Sequence, residues 1–160
     1  MVMTSLREFM RRVPQCVTVV ATYHEGKPHG MTVSSFASVS LNPPLVVISL
    51  ERNTKTCNTV LVSKKFAVNL LGQKQSQLSD IFAYVDHDER FKRVKFRIEN
   101  EVFPVLDDVV GVLFCTVDKA YEAGDHLLVL GKVEECKIYS DDPPLVYLQR
   151  QYFTVGPIRE

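Results

Sequence analysis

The chain has 160 residues, close to the ~150 of one ordinary domain, and is read as a single domain over 1–160. Its 46% hydrophobic and 24% charged residues exclude disorder, collagen and coiled coil. Lys+Arg and Asp+Glu both number 19, so the zero net charge speaks against a nucleic-acid partner and leaves little repulsion between copies.

No stretch approaches the ~18 apolar residues of a membrane helix, and no membrane attachment is expected. The opening MVMTSLREFMRRVP lacks the apolar core of a signal peptide, which makes a cytoplasmic location the expectation. Leu6, Phe9, Met10 and Val13 fall at helical spacing, with Ser5 and Glu8 as a capping box and Pro14 as the stop. Residues 17–22 (VTVVAT) are a β-branched strand, and 24–28 (HEGKP) carry turn chemistry. Residues 31–41 (MTVSSFASVSL) read as one strand, with Val33, Ser35, Ala37 and Val39 on one face and Thr32, Ser34, Phe36 and Ser38 on the other. Asn42-Pro43-Pro44 ends it, and 45–50 (LVVISL) reads as a strand buried on both faces.

Residues 53–63 are expected to be helical, capped by Asn53 or Thr54, with Cys57, Val60 and Leu61 turned inward. A strand over 66–71 and a helix marked by Leu78, Ile81, Phe82 and Val85 follow. The charged, aperiodic stretch 86–100 is expected to be loop. Residues 111–121 and 126–139 are two long strands joined through Glu122-Ala123-Gly124-Asp125, and 145–152 closes the chain. Many strands, few helices and no strand–helix alternation indicate a mainly β antiparallel barrel.

The four cysteines, Cys16, Cys57, Cys115 and Cys136, are scattered without a C-x-x-C pair, so no metal site is expected and they read as reduced thiols. Three features bear on chemistry. Thr32, Ser34, Ser35, Ser38 and Ser40 crowd one segment. They are either a solvated strand face or a hydroxyl row lining a pocket for a polar heteroaromatic ligand. Ser49 to Thr56 (SLERNTKT) runs from a strand into a helix, either a plain capped start or a phosphate-binding helix end carrying Arg52 and Lys55. His126 opens a strand after Gly124-Asp125, either as a structural residue or projecting into a cleft. Neither G-x-G-x-x-G nor a P-loop, H-E-x-x-H or G-x-S-x-G occurs, so a nucleotide cofactor would need another scaffold.

The ordered series Val17-Thr18-Val19-Val20, Gly30-Met31-Thr32-Val33-Ser34-Ser35-Phe36, Ser38-Val39-Ser40-Leu41-Asn42-Pro43-Pro44-Leu45-Val46, Phe66-Ala67-Val68-Asn69-Leu70-Leu71, Gly124-Asp125-His126, Gly131-Lys132-Val133 and Pro144-Leu145-Val146-Tyr147 resembles the flavin reductase family. These are the small components of two-component flavin monooxygenases, and the likeness spans about residues 5–153. It implies a six-stranded antiparallel Greek-key split barrel, the FMN-binding split barrel, with a few flanking helices, and a homodimer with flavin near the interface. It also implies hydride transfer from NADH or NADPH to FMN or FAD, the reduced flavin passing to a flavin-dependent oxygenase.

By position, the resemblance lays Met31, Thr32, Val33, Ser34 and Ser35 along the isoalloxazine ring and continues that wall with Ala37 and Ser38. It assigns Ser49, Leu50, Glu51 and Arg52, with Thr56 and Cys57, to the ribityl and phosphate part. Phe82 and Arg90-Phe91 resemble residues that close over the flavin, and His126 resembles the histidine near the nicotinamide. The absence of an acid–base pair or nucleophile agrees, since the cofactors carry hydride chemistry and the protein aligns them. The alternative is a flavoredoxin-like FMN-binding electron carrier without NAD(P)H turnover. A flavin-storage or haem-handling module on the same barrel is a third reading.

Overall fold

The computed structural model describes residues 1–159. In chain order the elements are α1 (Val2–Met10), β1 (Gln15–Cys16), β2 (Thr18–His24), β3 (Lys27–Val33), β4 (Phe36–Leu41), β5 (Pro44–Glu51), α2 (Lys55–Ser63), β6 (Lys65–Leu70) and α3 (Ser76–Tyr84). A 3-10 segment (His87–Arg93) follows, then β7 (Phe96–Glu99), β8 (Phe103–Leu106), β9 (Gly111–Ala123), β10 (His126–Ile138), β11 (Val146–Leu148) and β12 (Gln151–Phe153).

Seven strands form the main sheet in the order β3-β2-β6-β9-β10-β5-β4, every pairing antiparallel. β3 and β4 stand at its two ends, yet only Ser34 and Ser35 separate them in the chain. Three Cα–Cα steps link Val33 to Phe36, at most ~11 Å. The two ends must therefore meet, and the sheet curls into a barrel of the mainly β kind expected. It has seven strands rather than six, with β7–β8 and β1-β11-β12 as separate small sheets.

Two apolar clusters line the two faces of the sheet. Val20, Val33, Ile48, Leu50, Phe66 and Val129 fill the barrel together with Cys57 and Val60 of α2. Val19, Ala21, Phe114 and Leu145 belong to an outer cluster covered by Phe82 of α3, Phe91 and the β7–β8 hairpin. Buried Asn69 joins these layers: its Nδ2 donates to Val19 O and Pro104 O, and its Oδ1 accepts from the Leu106 amide at 3.0 Å. Gly131 is needed where β10 shifts register, because a Cβ there would lie 2.5 Å from the Phe66 ring.

Several expectations are corrected. α1 starts and ends earlier than its spacing predicts, has no side-chain cap, and buries none of its residues. The 31–41 run is two strands, because the chain crosses between the two ends of the sheet at Ser34-Ser35, so no single alternation of faces runs through it. β5 is buried on one face only: Val46, Ile48 and Leu50 point inward while Leu45, Val47 and Ser49 are half-buried. The 86–100 stretch is ordered as the 3-10 segment and β7, held by Phe91 and its T-shaped partners Phe82 and Phe96 at ring separations of 5.0 and 4.9 Å.

Candidate active site

The start of α2 is built by Thr54. Its hydroxyl accepts from the Cys57 amide at 3.2 Å, donates to Glu51 O at 3.0 Å, and lies 3.8 Å from Met31 Sδ of β3. Asn53 takes the left-handed conformation (φ 67°) that turns β5 into the helix. The first-turn amides of Lys55 and Thr56 have no i−4 carbonyl within the helix to bond, as at any helix start, and the dipole there favours an anion. The Thr56 hydroxyl adds to this: the residue is 1% exposed and the oxygen has no hydrogen-bond partner. An unsatisfied buried hydroxyl costs ~1–3 kcal/mol.

Arg52 fastens this turn to the tip of the β9–β10 hairpin. Its amide donates to Asp125 O at 3.0 Å, its Nη1 to Gly124 O at 3.2 Å, and its Nη2 to Glu122 Oε1 at 3.3 Å. Gly124 (φ 65°) makes the two-residue turn. His126 sits opposite Glu51 in the β5–β10 register, 41% exposed, with Nδ1 2.7 Å from Asp125 Oδ1. That hydrogen bond holds the Asp125 carboxyl below its ordinary pKa. The histidine ring is thus oriented by its neighbour, on a strand whose position is tied to the helix start.

Around the β3–β4 crossing lies an open cleft of about 390 Å³ bordered by Cys16, Ser34, Ser35, Ala37, Ser49 and Leu128. Ser35 Oγ donates to Ser49 O at 2.9 Å, and the Ser49 amide donates to Ser35 O at 3.0 Å. The Cys16 thiol lies 3.7 Å from Ser34 O.

The residues singled out from sequence thus fall into groups. Ser34, Ser35, Ala37 and Ser49 share the cleft, while Met31, Glu51, Arg52 and Thr56 lie around the helix start, which Arg52 ties to the His126 hairpin. Ser38 is exposed on β4. Thr32 is committed to α3, its hydroxyl donating to Ser79 O at 2.7 Å. The side chains of Val33, Leu50 and Cys57 lie in the barrel core, leaving their backbone as the part that can face a ligand. Phe82 is fully buried under β3, so its ring is a core support rather than a cover. Arg90 is likewise a brace: its Nε donates to Val85 O and its Nη1 to Gly30 O at 2.8 Å, and burial lowers its pKa. Sequence reasoning missed Glu122, Leu128 and Cys16. They reach the site only through pairings of distant strands, for which no local signal exists.

Residues 10–156 match the family described as flavin reductase like domain. The NADH-dependent flavin reductase of a Rhodococcus species is 36% identical over 145 residues, covering 89% of this chain and 80% of that protein. The reductase component of the flavin-dependent trigonelline monooxygenase of Acinetobacter baylyi is 37% identical over 119 residues, which are 74% of this chain and 38% of that longer protein. The crystal structure of flavin reductase HpaC complexed with NADP+ superposes with a TM-score of 0.88 at 32% identity, covering 96% of this chain and 97% of that one. A mainly β barrel, a helix start suited to phosphate and a family match over almost the whole chain agree. The chain belongs to the flavin reductase family.

Proposed function

We propose that the chain transfers hydride from NADH or NADPH to FMN or FAD and supplies the reduced flavin to an oxygenase component. The observation that carries this reading is the single assembly of the α2 start, with its unpartnered Thr56 hydroxyl, and the His126 hairpin tip through Arg52. The residues present fit a flavin phosphate. Arg52, the Lys55 and Thr56 amides and the Thr56 hydroxyl hold it, with backbone from Leu50, Glu51 and Cys57. Met31 to Ser35, Ala37, Ser38 and Ser49 form the wall along the ring. Flavin and nicotinamide bring the redox chemistry; the protein aligns them and limits water. His126 positions the nicotinamide by a hydrogen bond and transfers no proton.

The nicotinamide-linked relatives and the structure holding NADP+ support the donor, and the monooxygenase reductase component supports the oxygenase partner. A homodimer is supported by exposed apolar groups that a single chain leaves uncovered: Leu6 and Phe9 of α1, Leu41, and Leu128 at the cleft. Four free thiols suit the reducing cytoplasm, and among the described residues no helix is long and apolar enough to cross a membrane. We read 1–160 as one domain.

The deciding experiment is flavin-dependent oxidation of NADH and NADPH, each assayed with FMN and FAD. Turnover in any combination is expected, and a yellow protein whose flavin is reduced by neither donor overturns the reading in favour of an electron carrier. His126→Ala is expected to lower kcat/KM for the donor by about tenfold while flavin affinity holds, since one aligning hydrogen bond is lost.

A further inference from the structure

The two walls of the serine cleft come from different parts of the chain. One is the crossing at Ser34-Ser35 that continues β3, and the other is Val13 to Cys16, which ends in β1. The walls meet where the Cys16 thiol lies 3.7 Å from Ser34 O. Behind the second wall stands the small sheet. Gln15 of β1 pairs with Tyr147 of β11, and Tyr147 pairs with Tyr152 of β12, the two tyrosine rings meeting edge to face with centroids 5.4 Å apart.

A second connection runs from β12 back to the first wall. The Tyr152 hydroxyl lies 2.6 Å from Asp80 Oδ1 and 2.8 Å from Ser79 Oγ, both on α3. An ionised carboxylate only accepts, so the phenol donates to Asp80 and receives the Ser79 hydroxyl proton. Burial, and after it the bond to Asp80, push the Tyr152 phenol up to about 12, so it keeps its proton at neutral pH. Ser79 is buried, and its carbonyl accepts from Thr32 Oγ1 of β3 at 2.7 Å. Thr32 stands two residues before Ser34. The contacts therefore close a circuit: Ser34, Cys16, the three strands of the small sheet, Tyr152, Ser79, Thr32 and Ser34 again. Such a circuit holds two walls at a set spacing, which the single Cys16–Ser34 contact does not.

Resting on the reading of β3 and its crossing as the wall along the flavin ring, we infer that Tyr152 is a positioning residue for hydride transfer. Through Ser79 and Thr32 it sets the spacing of the cleft walls, and with it the seat of the isoalloxazine ring. It touches neither substrate nor cofactor. Its effect on rate comes through geometry, where a misplacement of ~1 Å costs up to ~100-fold.

The test compares wild type, Tyr152→Phe, Asp80→Ala, Asp80→Asn and Thr154→Ala. Tyr152→Phe keeps the ring against Tyr147 and removes the hydroxyl. Asp80 is exposed, so Asp80→Ala keeps the fold and removes the acceptor with the tyrosine in place, while Asp80→Asn keeps an acceptor oxygen. Thr154 Oγ1 donates to Pro144 O at 2.9 Å, so Thr154→Ala loosens the same C-terminal segment outside the circuit. Three quantities are read: the melting temperature without flavin, the visible spectrum of bound flavin, and the stopped-flow rate of flavin reduction at saturating flavin and NADH or NADPH. Tyr152→Phe should lower the rate about tenfold and move the bound-flavin spectrum toward that of free flavin. Asp80→Ala should do the same to a smaller degree, and Asp80→Asn should stay within about twofold of wild type. Thr154→Ala should lower the melting temperature and leave rate and spectrum unchanged. A Tyr152→Phe protein that loses stability alone, or equal rate losses in Tyr152→Phe and Thr154→Ala, overturns the inference and leaves the flavin reductase reading intact. So does a wild-type rate in Asp80→Ala. A wild type that neither binds nor reduces flavin removes the underlying reading, and this inference with it.

Discussion

The two ends of the candidate site are built on opposite principles. At the serine cleft the polar groups largely satisfy one another: Ser35 and Ser49 exchange two hydrogen bonds, and nearby Thr32 spends its hydroxyl on α3. At the start of α2 they do not, since the Thr56 hydroxyl is buried without a partner in the turn where helix amides are free. The first end therefore offers shape and backbone edges to a ring. The second offers donors and charge suited to an anion.

The largest expected effect follows from Arg52, which lies in the turn before α2 and whose guanidinium is bonded to the tip of the His126 hairpin. Arg52→Ala removes a charge and two hydrogen bonds. Bonds to charged groups contribute ~1.5–3 kcal/mol, so flavin affinity should fall roughly 10- to 100-fold. The hairpin tip also loosens, so kcat/KM for NADH at saturating flavin should fall too. Arg52→Lys should restore part of the affinity, not the alignment, because a lysine cannot span Gly124 O and Glu122 together. Wild-type flavin binding in Arg52→Ala would place the phosphate elsewhere.

Thr56→Val separates the two ends by sign. The isosteric methyl removes a buried hydroxyl that the protein alone leaves unsatisfied, so the flavin-free protein should become more stable by ~1 kcal/mol. Flavin affinity should drop about tenfold. Ser35→Ala should behave in the opposite way. It breaks the bond to Ser49 O and costs ~1 kcal/mol of stability, with flavin affinity falling less than for Thr56→Val. Melting curves without flavin and titrations with it read both quantities. If the two variants shift them in the same direction, the contrast between the ends does not hold.

This contrast explains what the sequence alone revealed. The α2 start was legible because capping is local: Thr54 and the turn after β5 lie within a few residues. The β9–β10 hairpin was legible for the same reason, with Gly124 at its turn. The serine cleft was misread as one strand because its break has no Gly or Pro to mark it. It arises from barrel closure, which brings β3 and β4 to opposite ends of one sheet. Phe82 and Arg90 were placed near the ligand by resemblance. Both are instead tied to Gly30: the Phe82 ring, beside that of Phe91, comes within 3.1 Å of a would-be Cβ there, and Arg90 donates to the Gly30 carbonyl. The 3-10 segment reads as loop because its apolar anchor, Phe91, is surrounded by charges in the sequence. Its hold on β3 runs through a histidine pair separated by 58 positions.

That pair gives the smallest expected effect, and it tests whether the helix-side end has its own support. His29 and His87 share one hydrogen bond, which needs at least one neutral ring. Burial lowers both pKa values, and His87 falls from 6.5 to about 4. The groups facing them reinforce this: Lys55 and Arg90 oppose protonation of His87, while Asp88, already paired with Lys55, favours it only in part. His24 and Lys27 oppose protonation of His29. Between pH 6.5 and about 4 the unfolded chain therefore binds a proton that the native His87 refuses, and stability falls as pH falls through that window. Above 6.5 the contribution is complete, and below about 4 no more is lost from this group. The Asp88 carboxyl, its pKa lowered by Lys55, gives up its own contribution at lower pH, below its ordinary value of 3.8. Melting temperatures of wild type and His87→Gln from pH 7 to pH 4 should thus converge toward the acid end, the variant losing less over the same interval. Parallel curves would mean that His87 titrates alike in the folded and unfolded chains, and that the 3-10 segment is held to β3 by Phe91 and Arg90 alone.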